Sequence, residues 1–244
     1  MKLQNQSGIL KITTENRKIH KRVKLLIRKL NEYYPVFTPK KNRDPLDELI
    51  YTILSQATND RNSLEAFKRL KSRFKTWDEL PNADLREIEK AIHIGGLAPT
   101  KSKRIKNLVE TIAERNRAAE RLKKGSPYHL DFLSKMELDE ARKWLLSLEG
   151  VGEKTAACVL LFSLHKPAFP IDTHVHRILI RQGIIPENMP AEKAHGVMYE
   201  LVPPDDRYRF HINLIQYGRE ICHANHAECD KCAIARTCLY KFCF

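Results

Sequence analysis

Apolar residues recur at three- and four-residue intervals along nearly the whole chain, and almost no segment alternates with the period of two that a half-buried strand requires. That pattern confines the chain to an all-α fold. Ile19, Val23, Leu26, Ile27 and Leu30 form one stripe, and Leu46, Leu49, Ile50, Ile53 and Leu54 form the next. The second helix is signed at its start, because Asp44 can cap it with Pro45 in the first helical position. The same spacing predicts further helices at 62–73, 84–93, 100–123, 138–147, 153–164, 173–182, 190–202 and 207–221. Only 124–133 and 183–189, where glycine and proline interrupt, are longer breaks. With 244 residues, 42% of them hydrophobic, the chain can build one large domain or two small ones.

Forty-three Lys and Arg against thirty Asp and Glu leave a formal charge of +13, which points to a polyanionic partner, nucleic acid first and a membrane surface second. The excess gathers in two amphipathic stretches, Lys18 to Lys29 and Lys101 to Lys124. The first eighteen residues hold no apolar run of signal-peptide length, and no later segment reaches the unbroken run a membrane helix needs. A soluble, intracellular (cytoplasmic or nucleoid-associated), monomeric protein is the expectation.

Four of the six cysteines, Cys222, Cys229, Cys232 and Cys238, fall close together near the C-terminus with gaps of six, two and five residues. Thiolates are soft ligands, so four of them in one short loop suit an iron–sulfur cluster or a structural zinc and poorly suit magnesium or calcium. The Cys229 and Cys232 pair can turn both sulfurs to one centre. No second such pair exists, whereas structural zinc sites usually join two, so the spacing leans towards [4Fe–4S]. Zinc stays open, with His223 and His226 as further ligands. Cys158 sits in an apolar helical run and reads as a buried small hydrophobe, and Cys243 lies beside the chain end.

The other sharp local signal is SLEGVGEKTAACVLLF, residues 147–162, a helix end, a Gly-Val-Gly turn and a new helix. Gly150 and Gly152 can take positive φ and let a backbone approach another chain closely. The amides of Gly152, Glu153 and Lys154 then lie at the positive end of the new helix dipole, an arrangement that binds phosphate. A tight helix–helix connection with no ligand uses the same glycines.

LEGVGEKT followed by FPIDTHVHR resembles the helix-hairpin-helix and Gly/Pro-Asp signature of the endonuclease III superfamily of DNA glycosylases, and the cysteine spacing is similar to that family's iron–sulfur loop. ILSQATND (53–60) and IGGLAPTKSKRI (94–105) resemble two further family segments, so the likeness spans about residue 20 to residue 240. The resemblance implies two helical domains with a DNA-binding cleft between them. Residues 37–166 would form a six-helix domain containing the hairpin, and residues 1–36 with 167–244 the [4Fe–4S] domain. It also implies base-excision repair of oxidised pyrimidines in duplex DNA, with double-stranded DNA containing damaged bases or abasic sites as the partner.

Carried over by motif, Lys154 matches the family's nucleophile and Asp172 its aspartate. An amine that attacks C1′ of a flipped nucleotide expels the base and forms a Schiff base, from which β-elimination cuts the strand. A lysine of ordinary pKa is neutral in only about one molecule in 2,500 at pH 7, and the start of a helix favours the neutral amine. Asp172 would relay a proton and stabilise the cationic sugar, although its place before Thr173 also suits a helix cap. Gln56 and Leu97 resemble the residues that fill the space left by the extruded base. Lys101, Gly150, Gly152, Glu153 and Thr155 would contact the DNA backbone. Glu149 stands where the family commonly has proline, and Glu153 puts a carboxylate beside the phosphate site. The loop between Cys222 and Cys229, HANHAE, lacks the basic residues common in the family. A monofunctional or mismatch-directed glycosylase and a non-catalytic DNA-binding protein are the alternatives.

Overall fold

The structure, a computed structural model, describes residues 14–37 and 42–240. Cys243 lies outside the described residues. Among those described there is no strand, only ten α-helices joined by turns and short 3-10 segments. Among the described residues no helix is long and apolar enough to cross a membrane.

The helices are α1 (Thr14–Tyr33), α2 (Pro45–Leu54), α3 (Asp60–Arg73), α4 (Leu85–Ile92), α5 (Ala98–Ala118), α6 (Leu138–Leu146), α7 (Glu153–Phe162), α8 (Thr173–Arg181), α9 (Ala191–Leu201) and α10 (Arg207–Glu220). Short polar side chains start several of them. Asp44 accepts from the amides of Leu46 and Asp47, Asn59 from Asn62, and Asp84 from Arg86. Each cap satisfies amides that no intrahelical carbonyl reaches. The periodicity runs α5 on to 123, but the helix stops at Ala118. The buried Asn116 side chain donates to the carbonyls of Pro127 and His129 at 2.6 and 2.8 Å, and the Asn116 backbone carbonyl accepts from the Arg121 amide. The chain is thereby folded back on itself, with Glu120, Lys124 and Gly125 at positive φ.

The described chain divides into two compact units. One runs from Thr38 to Ile171 and holds α2–α7, and its core includes Leu46, Ile50, Ile53, Leu70, Ile88, Ile105, Ile112, Leu145 and Leu160. Within it α2 packs on α7, α6 on α7 and α4 on α5. The other joins the residues up to Phe37 with those from Asp172 onward. There α10 packs on α1 and α8 around Val23, Leu30, Val175, Ile178, Phe210, Leu214 and Tyr217.

Candidate active site and nucleic-acid interface

In the α2–α7 unit, α6 ends at Leu146 and the chain reverses through Gly150 (φ +77°) before α7 begins at Glu153. A left-handed turn of this kind strains any residue with a Cβ. Gly152 differs from the expectation: it is extended rather than left-handed, so freedom of φ is not what it supplies. A Cβ there would meet nothing within 4 Å, which leaves the start of α7 open to a close-approaching backbone. Gly152 has no side chain with which to cap α7, so the first turn carries the positive end of the helix dipole without a side-chain cap from that position.

The side chains around this turn differ from their expected uses. Glu153 was expected among the DNA contacts, with a carboxylate opposing phosphate. Instead it is held in a two-pronged ion pair with Arg142 of α6, Nε to Oε2 at 2.9 Å and Nη2 to Oε1, which neutralises it and aims it back along the hairpin. Thr155 is buried, so only its backbone remains available to DNA. Lys101 is the largest correction. It is 2% exposed, and its Nζ donates to the carbonyls of Leu54 and Gly95, both at 2.8 Å. A buried ammonium holding two carbonyls cannot also reach a phosphate. Lys154, in the first turn of α7, is half-buried.

Sequence reasoning missed Glu48. It lies on the buried face of α2, accepts from Arg43 at 2.8 Å and from the Thr52 hydroxyl at 3.5 Å, and Arg43 stacks on Tyr51. Burial pushes its carboxyl above the usual carboxylate range, while Arg43 and then the charge of Lys154 pull it back down. The signal was available: Pro45, Glu48, Leu49 and Thr52 recur at helical spacing, which puts a carboxylate on an apolar stripe.

The two loop residues expected to enter a duplex sit on neighbouring turns. Gln56 follows α2, and its Oε1 accepts from Arg104 Nη1 at 2.9 Å. Leu97 precedes α5 in the left-handed conformation, φ 52° and ψ 33°, and is 59% exposed. The left-handed region is uncommon for a residue with a Cβ, and here the side chain also gains little burial.

In the other unit Asp172 caps α8, accepting from the Val175 amide at 2.8 Å through one carboxylate oxygen. The last turns of α8 organise the cysteine loop. Arg177 donates to the Cys222 carbonyl through Nε at 3.0 Å and Nη2 at 2.7 Å. Arg181, nearly buried, donates to Cys222 Sγ at 3.2 Å and to the carbonyls of His223 and Ala224 at 2.7 and 3.0 Å. Tyr217 OH donates to Cys232 Sγ at 3.2 Å. Gln182 receives the Thr237 hydroxyl, holds the Ile234 carbonyl, and through its own carbonyl is tied to Arg22 of α1.

Cys222, Cys232 and Cys238 carry free thiols, and Cys229 is disulfide-bonded. Burial pushes the Cys238 thiol up, and the neighbouring Cys222 and Cys232 add to the shift. Among the described residues no three His, Cys, Asp or Glu side chains converge on a single metal ion. Soft sulfurs receiving hydrogen bonds from a guanidinium and a phenol fit an iron–sulfur group, provided Cys229 is reduced.

Residues 50–204 match the family described as HhH-GPD superfamily base excision DNA repair protein. The Arabidopsis thaliana protein At3g47830 is 36% identical over 179 residues, 72% of this chain, and this chain spans 57% of that protein's length. Endonuclease III of Sulfolobus acidocaldarius is 30% identical over 211 residues, 86% of this chain and 88% of the relative. Among solved structures, a trapped endonuclease III–DNA covalent intermediate superposes with a TM-score of 0.75 at 23% identity, covering 90% of this chain and 95% of that one.

Proposed function

The chain belongs to the HhH-GPD superfamily of base excision DNA repair proteins, and from that premise we propose that it is a bifunctional DNA glycosylase and abasic-site lyase acting on oxidised pyrimidines in duplex DNA. The observation that carries the reading is the hairpin: Gly150 left-handed, Gly152 facing open space, α7 starting without a side-chain cap, and Lys154 in that first turn.

Outward amides bind a DNA phosphate and bring the sugar to the Lys154 amine. Nζ attacks C1′, the bond from C1′ to the base nitrogen breaks, and its electron pair leaves with the base, which takes up a proton. Loss of a proton from Nζ and opening of the sugar ring give the Schiff base. Removal of a C2′ proton then expels the 3′ phosphate, and hydrolysis of the Schiff base regenerates the amine. Asp172 supplies negative charge to the cationic sugar and relays protons. Glu48 adds a buried carboxyl whose charge is coupled to that of Lys154.

Cys222, Cys229, Cys232 and Cys238 would hold a [4Fe–4S] cluster, which when bound cross-links the loop. Arg181 and Tyr217 orient the sulfurs through their hydrogen bonds. Purified protein should be brown with about four irons per chain; colourless protein with stoichiometric zinc after anaerobic purification overturns the cluster.

Borohydride trapping on duplex DNA with an abasic site tests the chemistry. A covalent adduct is expected from the wild type and none from Lys154→Gln. A wild type that gives no adduct is not a lyase.

A further inference from the structure

Two cations on α5, Lys101 and Arg104, hold the loops that carry Gln56 and Leu97. Lys101 lies on the buried stripe of α5 made by Ala98, Ser102, Ile105, Leu108, Val109 and Ile112. Burial pushes its ammonium below the usual lysine range. What it obtains there is a joint hold on two loops. The Leu54 carbonyl ends α2 two residues before Gln56, and the Gly95 carbonyl stands two residues before Leu97. The loops are pressed together at this point: a Cβ on Gly95 would lie 3.2 Å from Ala66 and 3.8 Å from the Leu54 carbonyl, and one on Gly96 4.0 Å from the Ala57 carbonyl. One turn further along, Arg104 donates to the Gln56 side chain at 2.9 Å. Its guanidinium also lies against the hairpin, since a Cβ on Gly150 would come within 2.8 Å of Arg104 Nε.

We infer that Lys101 and Arg104 are positioning residues for base extrusion, fixing Leu97 and Gln56 as one rigid pair in register with the Gly150 hairpin. The inference rests on the reading that Leu97 and Gln56 enter the duplex. Filling a vacated base step pushes back on whatever carries the wedge. Separate flexible loops would yield under that load. Tied through one ammonium to two carbonyls, they move only together, and Arg104 links them to the turn that grips the phosphate. A neutral side chain at 101 leaves both carbonyls without their donor.

The experiment uses the full chain and a duplex carrying tetrahydrofuran, an abasic analogue that cannot form a Schiff base, with 2-aminopurine opposite as a fluorescent report of unstacking. Wild-type protein should raise the fluorescence on binding. Lys101→Met and Arg104→Gln should each lower the amplitude at saturation about tenfold, the loss expected when one buried hydrogen-bonding group goes unpaired. The dissociation constant should stay within about threefold, because phosphate contacts set most of the affinity. Arg104 is only half-buried, so its variant tests the idea even if Lys101→Met does not fold, which thermal melting by circular dichroism reports. Wild-type amplitude in both variants, with Gln56→Ala and Leu97→Ala losing theirs, overturns the inference and keeps the insertion reading. Unchanged amplitude in Gln56→Ala and Leu97→Ala overturns that reading, and the inference with it.

Discussion

The glycine hairpin and the cysteine loop both interrupt a helical chain with irregular backbone, and their polar groups face opposite ways. At the hairpin the start of α7 has no side-chain cap, Gly152 looks onto open space, and the nearest carboxylate, Glu153, is folded back onto Arg142. At the cysteine loop the carbonyls of Cys222, His223 and Ala224 are all taken by Arg177 and Arg181. One region keeps donors available and disposes of its acid; the other consumes its cations on its own backbone. A net charge of +13 therefore does not locate the anion site. An arginine held against its own backbone carbonyls has its charge turned inward, whereas the start of a helix presents partial positive charge through its amides.

Removing the inward arginine should have the largest effect on stability. Arg181→Met strips the loop of two carbonyl donors and one sulfur donor and should cost about 3 kcal/mol. Urea unfolding and iron content read it, and an unchanged midpoint with full iron would erase the contrast between the regions. Next comes the hairpin pair. Gly150→Ala forces a Cβ into a left-handed turn against Arg104 and should cost about 1–2 kcal/mol, together with DNA affinity in a fluorescence anisotropy titration. Gly152→Ala, extended and unobstructed, should cost less than about 1 kcal/mol of stability. If it nonetheless weakens DNA binding, the open space is where the backbone docks. A smaller change is expected for Glu153→Gln, about 0.5–1 kcal/mol and shrinking with added salt, because its ion pair with Arg142 is partly solvated.

The last prediction concerns pH. Burial holds the Glu48 carboxyl above its unfolded value. Its contribution is therefore fully present below the unfolded pKa and lost as pH rises through the folded one. Glu48→Gln, which keeps the shape and removes the titration, should gain stability relative to wild type as pH climbs from acid towards neutral. Thermal midpoints of the two proteins across that range check it, and parallel curves would show that Glu48 is not strained by its burial.

The start of α2, with Asp44 as cap and Pro45 first, was legible because every interaction involved lies within four residues along the chain. So was the turn at Gly150 with Lys154 in the next helix. Lys101 and Arg181 were not, although each sits among the buried positions of its helix. On a sequence such a charge reads as a solvated face; only its distant partner says otherwise, and Lys101 lies 47 residues from the Leu54 carbonyl it holds. Most of the helices, the Asp44 cap and the turn at Gly150 could be read from the residues alone, because backbone sterics and hydrogen bonds between near neighbours set them. Tertiary structure alone decided which cations are spent on buried carbonyls and which donors stay open, because that depends on contacts the chain makes only once its helices have packed.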